Sequence, residues 1–150
     1  MPLQVQEPFD ERGRSAASQR FDAARRLMET DAFAEAIVLL HQAAVEQPHY
    51  KTYELLGVCY CKLKRFSEAI PFLAAAATLN RGVRAPSLLA ETWLVLGCYP
   101  NAADAANVAL ARDPKNRLAL KVKEQATAAL KENSNYLPKT TALPPTRDLQ

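Results

Sequence analysis

Glycine and aromatic residues are scarce in this chain of 150 residues. Four glycines are too few for the glycine-rich loops that cradle phosphate groups, so the composition argues against a nucleotide-binding loop. Aromatic residues make up only 7% of the chain while hydrophobic residues make up 49%, and alanine supplies much of the difference. Small apolar side chains let helices approach closely, so the composition favours helix-on-helix packing.

Cysteines and long apolar runs are scarce as well. Three cysteines is an odd number, and Cys59 and Cys61 stand two apart in a predicted helix, where side chains point in different directions. We therefore expect no disulfide framework and a reducing compartment. No apolar run approaches the ~20 residues of a membrane span. The opening residues MPLQVQEPFDERGR lack the apolar core of a signal peptide, so we expect a cytoplasmic protein.

The charge balance is nearly even. A net charge of +3 is too small to indicate a nucleic-acid partner. The lysines and arginines near the C-terminal end fall on the polar side of a predicted helix, which is typical of a solvated face. We therefore expect neither nucleic acid nor a membrane among the partners.

Residues that carry catalytic chemistry are isolated from one another. His41 and His49 have no cysteine or carboxylate at ligand spacing, whereas a metal site needs three or four convergent ligands. Cys98 stands beside Gly97 at a predicted bend, without a motif around it. We expect no enzyme activity, no metal and no cofactor.

The most informative stretch runs from Tyr53 to Leu79. Apolar and small side chains recur there at spacings of three and four, which places them on one face of each of two helices. They are Tyr53, Leu56, Gly57 and Tyr60 in the first helix, and Phe66, Ala69, Leu73 and Ala76 in the second. A short break at Lys64 and Arg65 joins the two helices as an antiparallel hairpin.

The same pattern recurs on both sides of this hairpin with a period of 33 residues. The recurring columns are Phe33, Phe66 and Tyr99, then Ala36, Ala69 and Ala102, then Ala43, Ala76 and Ala109. Columns in one register indicate three helical hairpins stacked in a row, with alanines where helices cross and an aromatic residue at each bend.

These residues resemble the tetratricopeptide repeat, with Tyr53 and Leu73 where the family usually has Trp and Phe. The resemblance implies an all-α solenoid of three antiparallel hairpins, a TPR superhelix, with repeats at about 17–49, 50–82 and 83–114. An amphipathic helix at 115–132 caps the stack. We predict a flexible leader at 1–15 and a flexible Pro/Thr-rich tail at 133–150. Asp31 and Ser67 are predicted to cap the second helix of the first and second hairpins.

Stacked hairpins curve, and the resemblance implies a concave face, lined by the first helix of each hairpin, that holds an extended peptide of a partner. The side chains expected to point into it come from all three repeats. They are Phe21, Arg25, Met28, Lys51, Glu54, Leu55, Val58, Cys61, Arg84, Ser87, Leu88, Glu91 and Leu94.

The composition of this set distinguishes between kinds of partner. Relatives that grip the acidic C-terminal tail of heat-shock chaperones use several basic and amide side chains. Arg25, Lys51 and Arg84 supply charge here, but apolar residues such as Leu55 and Leu88 stand where that clamp needs a basic residue or an amide. A mixed groove suits a protein or peptide segment with spaced apolar residues. Alternatively, Leu55, Val58 and Leu88 are packing residues between repeats.

Three functions remain open from the sequence. The first is a non-catalytic adaptor or chaperone-like module that binds an extended peptide in its groove. The second is a structural scaffold subunit that assembles through its ends or convex face. The third is a bacterial secretion-chaperone-like protein that holds a secreted translocator. We also hypothesise self-association, in which tail residues such as Tyr136 and Leu143 occupy the groove of the same chain or of a second copy.

Overall fold

The computed structural model describes residues 14–136. Seven α-helices lie within that range, and they are α1 (Ala16–Glu29), α2 (Phe33–Glu46), α3 (Tyr50–Lys62), α4 (Phe66–Leu79), α5 (Arg84–Val95), α6 (Tyr99–Arg112) and α7 (Arg117–Tyr136). The helices pair as α1–α2, α3–α4 and α5–α6, each hairpin packs on the next, and α7 packs on α5 and α6. This confirms the predicted all-α solenoid of three hairpins with a capping helix.

The three hairpin turns repeat one geometry every 33 residues. Asp31, Lys64 and Gly97 have positive φ angles of 58°, 59° and 74°. The next N–H in each turn then reaches back to a carbonyl five residues earlier, as in the 2.8 Å bond from Arg65 N to Tyr60 O. A left-handed residue with this long backbone bond is the Schellman ending of a helix. Each turn therefore closes one helix and reverses the chain.

The predicted side-chain caps at Asp31 and Ser67 are wrong. The cap positions of α2 and α4 are Ala32 and Arg65, and neither helix has a capping side-chain bond. Asp31 adopts the left-handed conformation of the turn, one residue before the cap position of α2. Ser67 is the second residue of α4 and therefore lies beyond the position from which a side chain caps.

The buried columns form the core. The alanines at 36, 69 and 102 are completely buried, and those at 43, 76 and 109 are at most 2% exposed. The first two hairpins share a core around Leu40, Leu56 and Leu73. The third hairpin and α7 share a second core, built of alanines and Val122. Small side chains thus mark the helix crossings in all three repeats.

Gly57 lies where α3 crosses α4. A Cβ atom at this position would stand 2.4 Å from Cδ2 of Leu73, and the Leu73 side chain is fully buried. The missing side chain of Gly57 therefore makes room for Leu73.

Arg112 joins the third hairpin to the second. Its guanidinium donates to the backbone oxygens of Ala77, Asn80 and Gly82, each at 2.9 Å. These carbonyls lie at and beyond the end of α4, where backbone oxygens lack helical partners. Arg112 therefore fixes how α5 and α6 sit against α4.

The predicted end of the capping helix is wrong. The predicted tail begins at 133, whereas α7 continues through Tyr136. The sequence has no glycine or proline between Lys115 and Tyr136, and its next proline is Pro138, so nothing there interrupts the helix. The predicted leader, except residues 14 and 15, and the tail beyond 136 lie outside the described residues.

Candidate peptide-binding groove

The inner helices α1, α3 and α5 line a groove with two hollows of different character. Both hollows lie between α3 and α5, at opposite ends of these helices. We call them the cationic end and the apolar end. Leu55 belongs to the first and Val58 to the second, one helical turn apart, so the two hollows adjoin.

The cationic end has a volume of about 510 Å³ and receives side chains from three helices. Its members are Phe21 and Arg25 of α1, Tyr50, Lys51, Glu54 and Leu55 of α3, Arg84 and Ala85 at the start of α5, and Asn80, Gly82 and Val83 of the connection between α4 and α5. Nη1 of Arg84 lies 3.2 Å from Oε1 of Glu54, with side-chain exposures of 64% and 15%. Glu54 is thus held deep in the groove wall while Arg84 reaches over it.

The apolar end has a volume of about 360 Å³. Its walls are Val58, Cys61 and Lys62 of α3, Phe66 and Leu73 of α4, and Leu88, Glu91, Thr92 and Val95 of α5. Sγ of Cys61 lies 3.4 Å from Oγ1 of Thr92. Burial raises the pKa of the Cys61 thiol, the hydrogen bond with Thr92 opposes the rise, and the Glu91 carboxylate adds to it. The thiol therefore acts as a neutral, weakly polar wall.

The structure brings most of the predicted groove residues into these hollows. Phe21, Arg25, Lys51, Glu54, Leu55 and Arg84 line the cationic end, and Val58, Cys61, Leu88 and Glu91 line the apolar end. Leu55 and Leu88 also pack against the first core, so each side chain serves both the core and the groove wall. Met28 and Leu94 lie on the same inner helices, where they pack against the first and second core respectively.

The prediction that Ser87 points into the groove is wrong, because Ser87 is only 3% exposed and offers no groove surface. Its hydroxyl donates to Val83 O at 2.7 Å and lies 3.1 Å from Oδ1 of Asn116. The same Oδ1 accepts from Ala119 N at the start of α7. Ser87 therefore faces the capping helix, whose position the repeat pattern does not give.

The sequence did not predict several of the residues that line the groove. Val95 continues the helical spacing of Leu88 and Glu91, and that periodicity was the available signal. Phe66 and Leu73 come from α4, an outer helix, and also line the apolar end, Phe66 as a half-buried side chain and Leu73 as a fully buried one. No local pattern identifies such a contribution.

The histidines have structural partners away from the two hollows. Nε2 of His41 lies 2.9 Å from the Tyr60 hydroxyl, and its ring packs edge-on against Phe72. Nδ1 of His49 accepts from Lys51 N at the start of α3. Within residues 14–136, no three His, Cys, Asp or Glu side chains come together as a metal site would require. In the same range, the structure contains no helix with the length and apolarity needed to cross a bilayer.

No protein-family model and no curated protein matches this sequence. Solved structures of tetratricopeptide-repeat domains do match its fold. The first TPR domain of human RPAP3 has a TM-score of 0.71 at 20% identity, over 81% of this chain and 97% of that one. The first TPR of Spaghetti (RPAP3), bound to the HSP90 peptide SRMEEVD, has a TM-score of 0.73 at 19% identity, over 82% of this chain and 97% of that one. The Yersinia enterocolitica type III secretion chaperone SycD, in complex with a peptide of the translocator YopD, has a TM-score of 0.69 at 17% identity, over 83% of this chain and 99% of that one.

Proposed function

We propose that this chain, which has the TPR fold, is a non-catalytic interaction module that binds an extended segment of a partner protein along its groove. The observation that carries the proposal is that the cationic end and the apolar end lie next to each other between α3 and α5. An apolar hollow of about 360 Å³ accommodates a bulky side chain, and exposed cations beside it attract a charged neighbour. A partner segment with spaced apolar residues fits this arrangement.

Solved structures of the same fold support peptide binding. The Spaghetti domain was solved with an HSP90 peptide and SycD with a YopD peptide. The groove of this chain has apolar side chains from Leu55, Val58 and Leu88, so we favour apolar anchoring over a purely ionic clamp. The three cysteines are free thiols, and on that ground the proposal includes a reducing, cytoplasmic setting.

A secretion-chaperone-like role is the second candidate. The observation that favours it is the match to SycD, which extends over 99% of the SycD chain. Under this alternative the groove holds a segment of a secreted translocator. Co-expression with candidate secreted proteins tests it, because a chaperone raises the soluble yield of its cargo and an adaptor leaves that yield unchanged.

A pair of matched substitutions tests groove binding. Arg84→Glu reverses an exposed charge at the cationic end, whereas Val45→Asp introduces a charge on the outer surface of α2, where Val45 is 84% exposed. We expect Arg84→Glu to weaken binding of a selected peptide and Val45→Asp to leave it unchanged. The opposite result, with Val45→Asp disrupting a complex, favours the scaffold that assembles through its convex face.

Thiol alkylation provides an independent readout of where a peptide sits. Cys61 lines the apolar end, and Cys98 lies in the turn before α6, outside both hollows. We expect bound peptide to slow alkylation of Cys61 and leave Cys98 unaffected. Equal rates at Cys61 with and without saturating peptide contradict groove binding. The hypothesis that the tail occupies the groove involves Tyr136, which is the last residue of α7, and residues beyond the described range. Deleting 137–150 tests it in the same assay.

A further inference from the structure

The two ends of the groove differ in charge. The cationic end contains Arg25, Lys51 and Arg84 against one carboxylate, Glu54, which leaves two formal positive charges in excess. The apolar end contains one lysine and one glutamate, which balance. An acidic group on a bound segment is therefore attracted to the cationic end and gains nothing at the apolar end.

Glu54 limits how much negative charge the cationic end accepts. It is paired with Arg84 at 3.2 Å and is only 15% exposed, so it remains in the groove wall. Arg25 and Lys51 are exposed and make no ion pair within residues 14–136. One incoming carboxylate that contacts both Arg25 and Lys51 engages the two unpaired cations. A second carboxylate beside it finds no further free cation among the described residues of the cationic end, because Glu54 already pairs with Arg84, and it also faces the negative charge of Glu54.

The spacing of the two hollows follows from the helices that line them. Along α3 the lining moves from residues 50–55 to 58–62, and along α5 from 84–85 to 88–95, so that the midpoints differ by about seven residues in each case. Seven residues of helix correspond to about 10 Å. An extended chain covers that distance in about three residues.

From these observations we infer that the groove selects a partner segment with one acidic side chain about three residues from a bulky apolar residue, and that Glu54 is the selectivity residue that disfavours paired acids. The inference rests on the proposed function and specifies the chemistry of its ligand. The bulky residue fills the apolar end, and the carboxylate of the acidic residue lies between Arg25 and Lys51. Internal segments satisfy this rule as readily as chain ends, because the carboxylate is a side chain.

Selection from a random peptide library on the full chain tests the inference. We expect enriched peptides to share one Asp or Glu about three positions from a Leu, Ile, Phe or Met, in either order. Replacing that acid by its amide in a synthetic, C-terminally amidated peptide should weaken binding about tenfold, the value of one charged contact. Adding a second, adjacent acid should give no tighter binding.

Glu54→Gln is the decisive variant, and Glu124→Gln, an exposed position on α7 outside both hollows, is its matched control. We expect Glu54→Gln to bind the doubly acidic peptide several-fold more tightly than the natural chain does, and Glu124→Gln to behave as the natural chain. Unchanged discrimination in Glu54→Gln overturns the role of Glu54. Enriched peptides without an acid preference overturn the inference but keep groove binding. A requirement for a free C-terminal carboxylate reassigns the cationic end to chain ends, and recovery of no peptide at all counts against the proposed function itself.

Discussion

Gly57 and Leu73 show at the residue scale how one repeat differs from its neighbours. The positions equivalent to Gly57 are Ala24 and Ala90, which are both fully buried. Only the middle repeat combines glycine in this column with a close leucine, whose Cδ2 lies 2.4 Å from the place of a Cβ. The repeat pattern therefore hides a local exchange of volume between facing helices.

Gly57→Ala should consequently destabilise the protein although alanine is the better helix former. Overpacking against a buried leucine costs about 1–3 kcal/mol, and helix propensity returns about 1 kcal/mol. We expect a net loss of up to about 2 kcal/mol in the free energy of unfolding, measured with urea. Combining the change with Leu73→Val should recover part of the loss in a double-mutant cycle, and strictly additive effects contradict the contact.

Cys59 makes the free energy of unfolding depend on pH in the alkaline range. Burial raises the pKa of its thiol from 9.0 to about 11. Below pH 9 the thiol is neutral in both states, whereas above pH 9 it ionises first in the unfolded chain, so the folded state loses stability as pH rises towards 11. In unfolding experiments between pH 8 and 11, Cys59→Ala should show a shallower decline than the natural chain. Parallel curves for the two proteins are the contrary outcome.

At the scale of elements, the hairpin turns are the most regular feature of the chain. Their left-handed residues are Asp31, Lys64 and Gly97, so only the third turn uses the residue that adopts this conformation without strain. The turn geometry is fixed by the long backbone bond that closes each helix. A non-glycine residue at this point therefore carries a cost that the tertiary packing offsets.

Lys64→Gly should stabilise the protein by about 0.5–1 kcal/mol, because it relieves about 1–2 kcal/mol of left-handed strain and loses part of that gain to the greater freedom of glycine in the unfolded chain. Gly97→Ala should destabilise it by a similar amount. Lys123→Gly is the matched control, since Lys123 is an exposed residue inside α7 and the same change there should cost about 1 kcal/mol. Thermal or urea unfolding measures all three, and a destabilised Lys64→Gly protein contradicts the assigned turn.

At the scale of the whole molecule, the two cores differ in kind. The first is built on leucines from two hairpins, whereas the second, shared by α5, α6 and α7, is built on alanines and Val122. Alanine buries less apolar area than leucine, so the second core contributes less stability. Arg112 and the buried contact of Ala76, Ala77 and Ala85 link the two parts.

Hydrogen exchange should therefore show lower protection in α5 and α6 than in α3 and α4. Leu73 and Ala106 occupy equivalent positions 33 residues apart, which makes their amides a matched pair. We expect faster exchange at Ala106, measured by NMR at neutral pH. Equal protection at the two amides indicates that the stack opens as one cooperative unit.

The sequence by itself determined the repeat, the number of hairpins and the buried alanine columns, because helical periodicity and residue volume are local properties that a stack of similar units repeats. Ten of the thirteen residues that the sequence predicts for the groove line the two hollows, since side chains on one helical face share a direction. Only the tertiary structure decided that Ser87 faces α7 and that Phe66 of the outer helix α4 lines the groove. These outcomes depend on how one helix is seated on the next, and contacts between elements leave no period in the sequence.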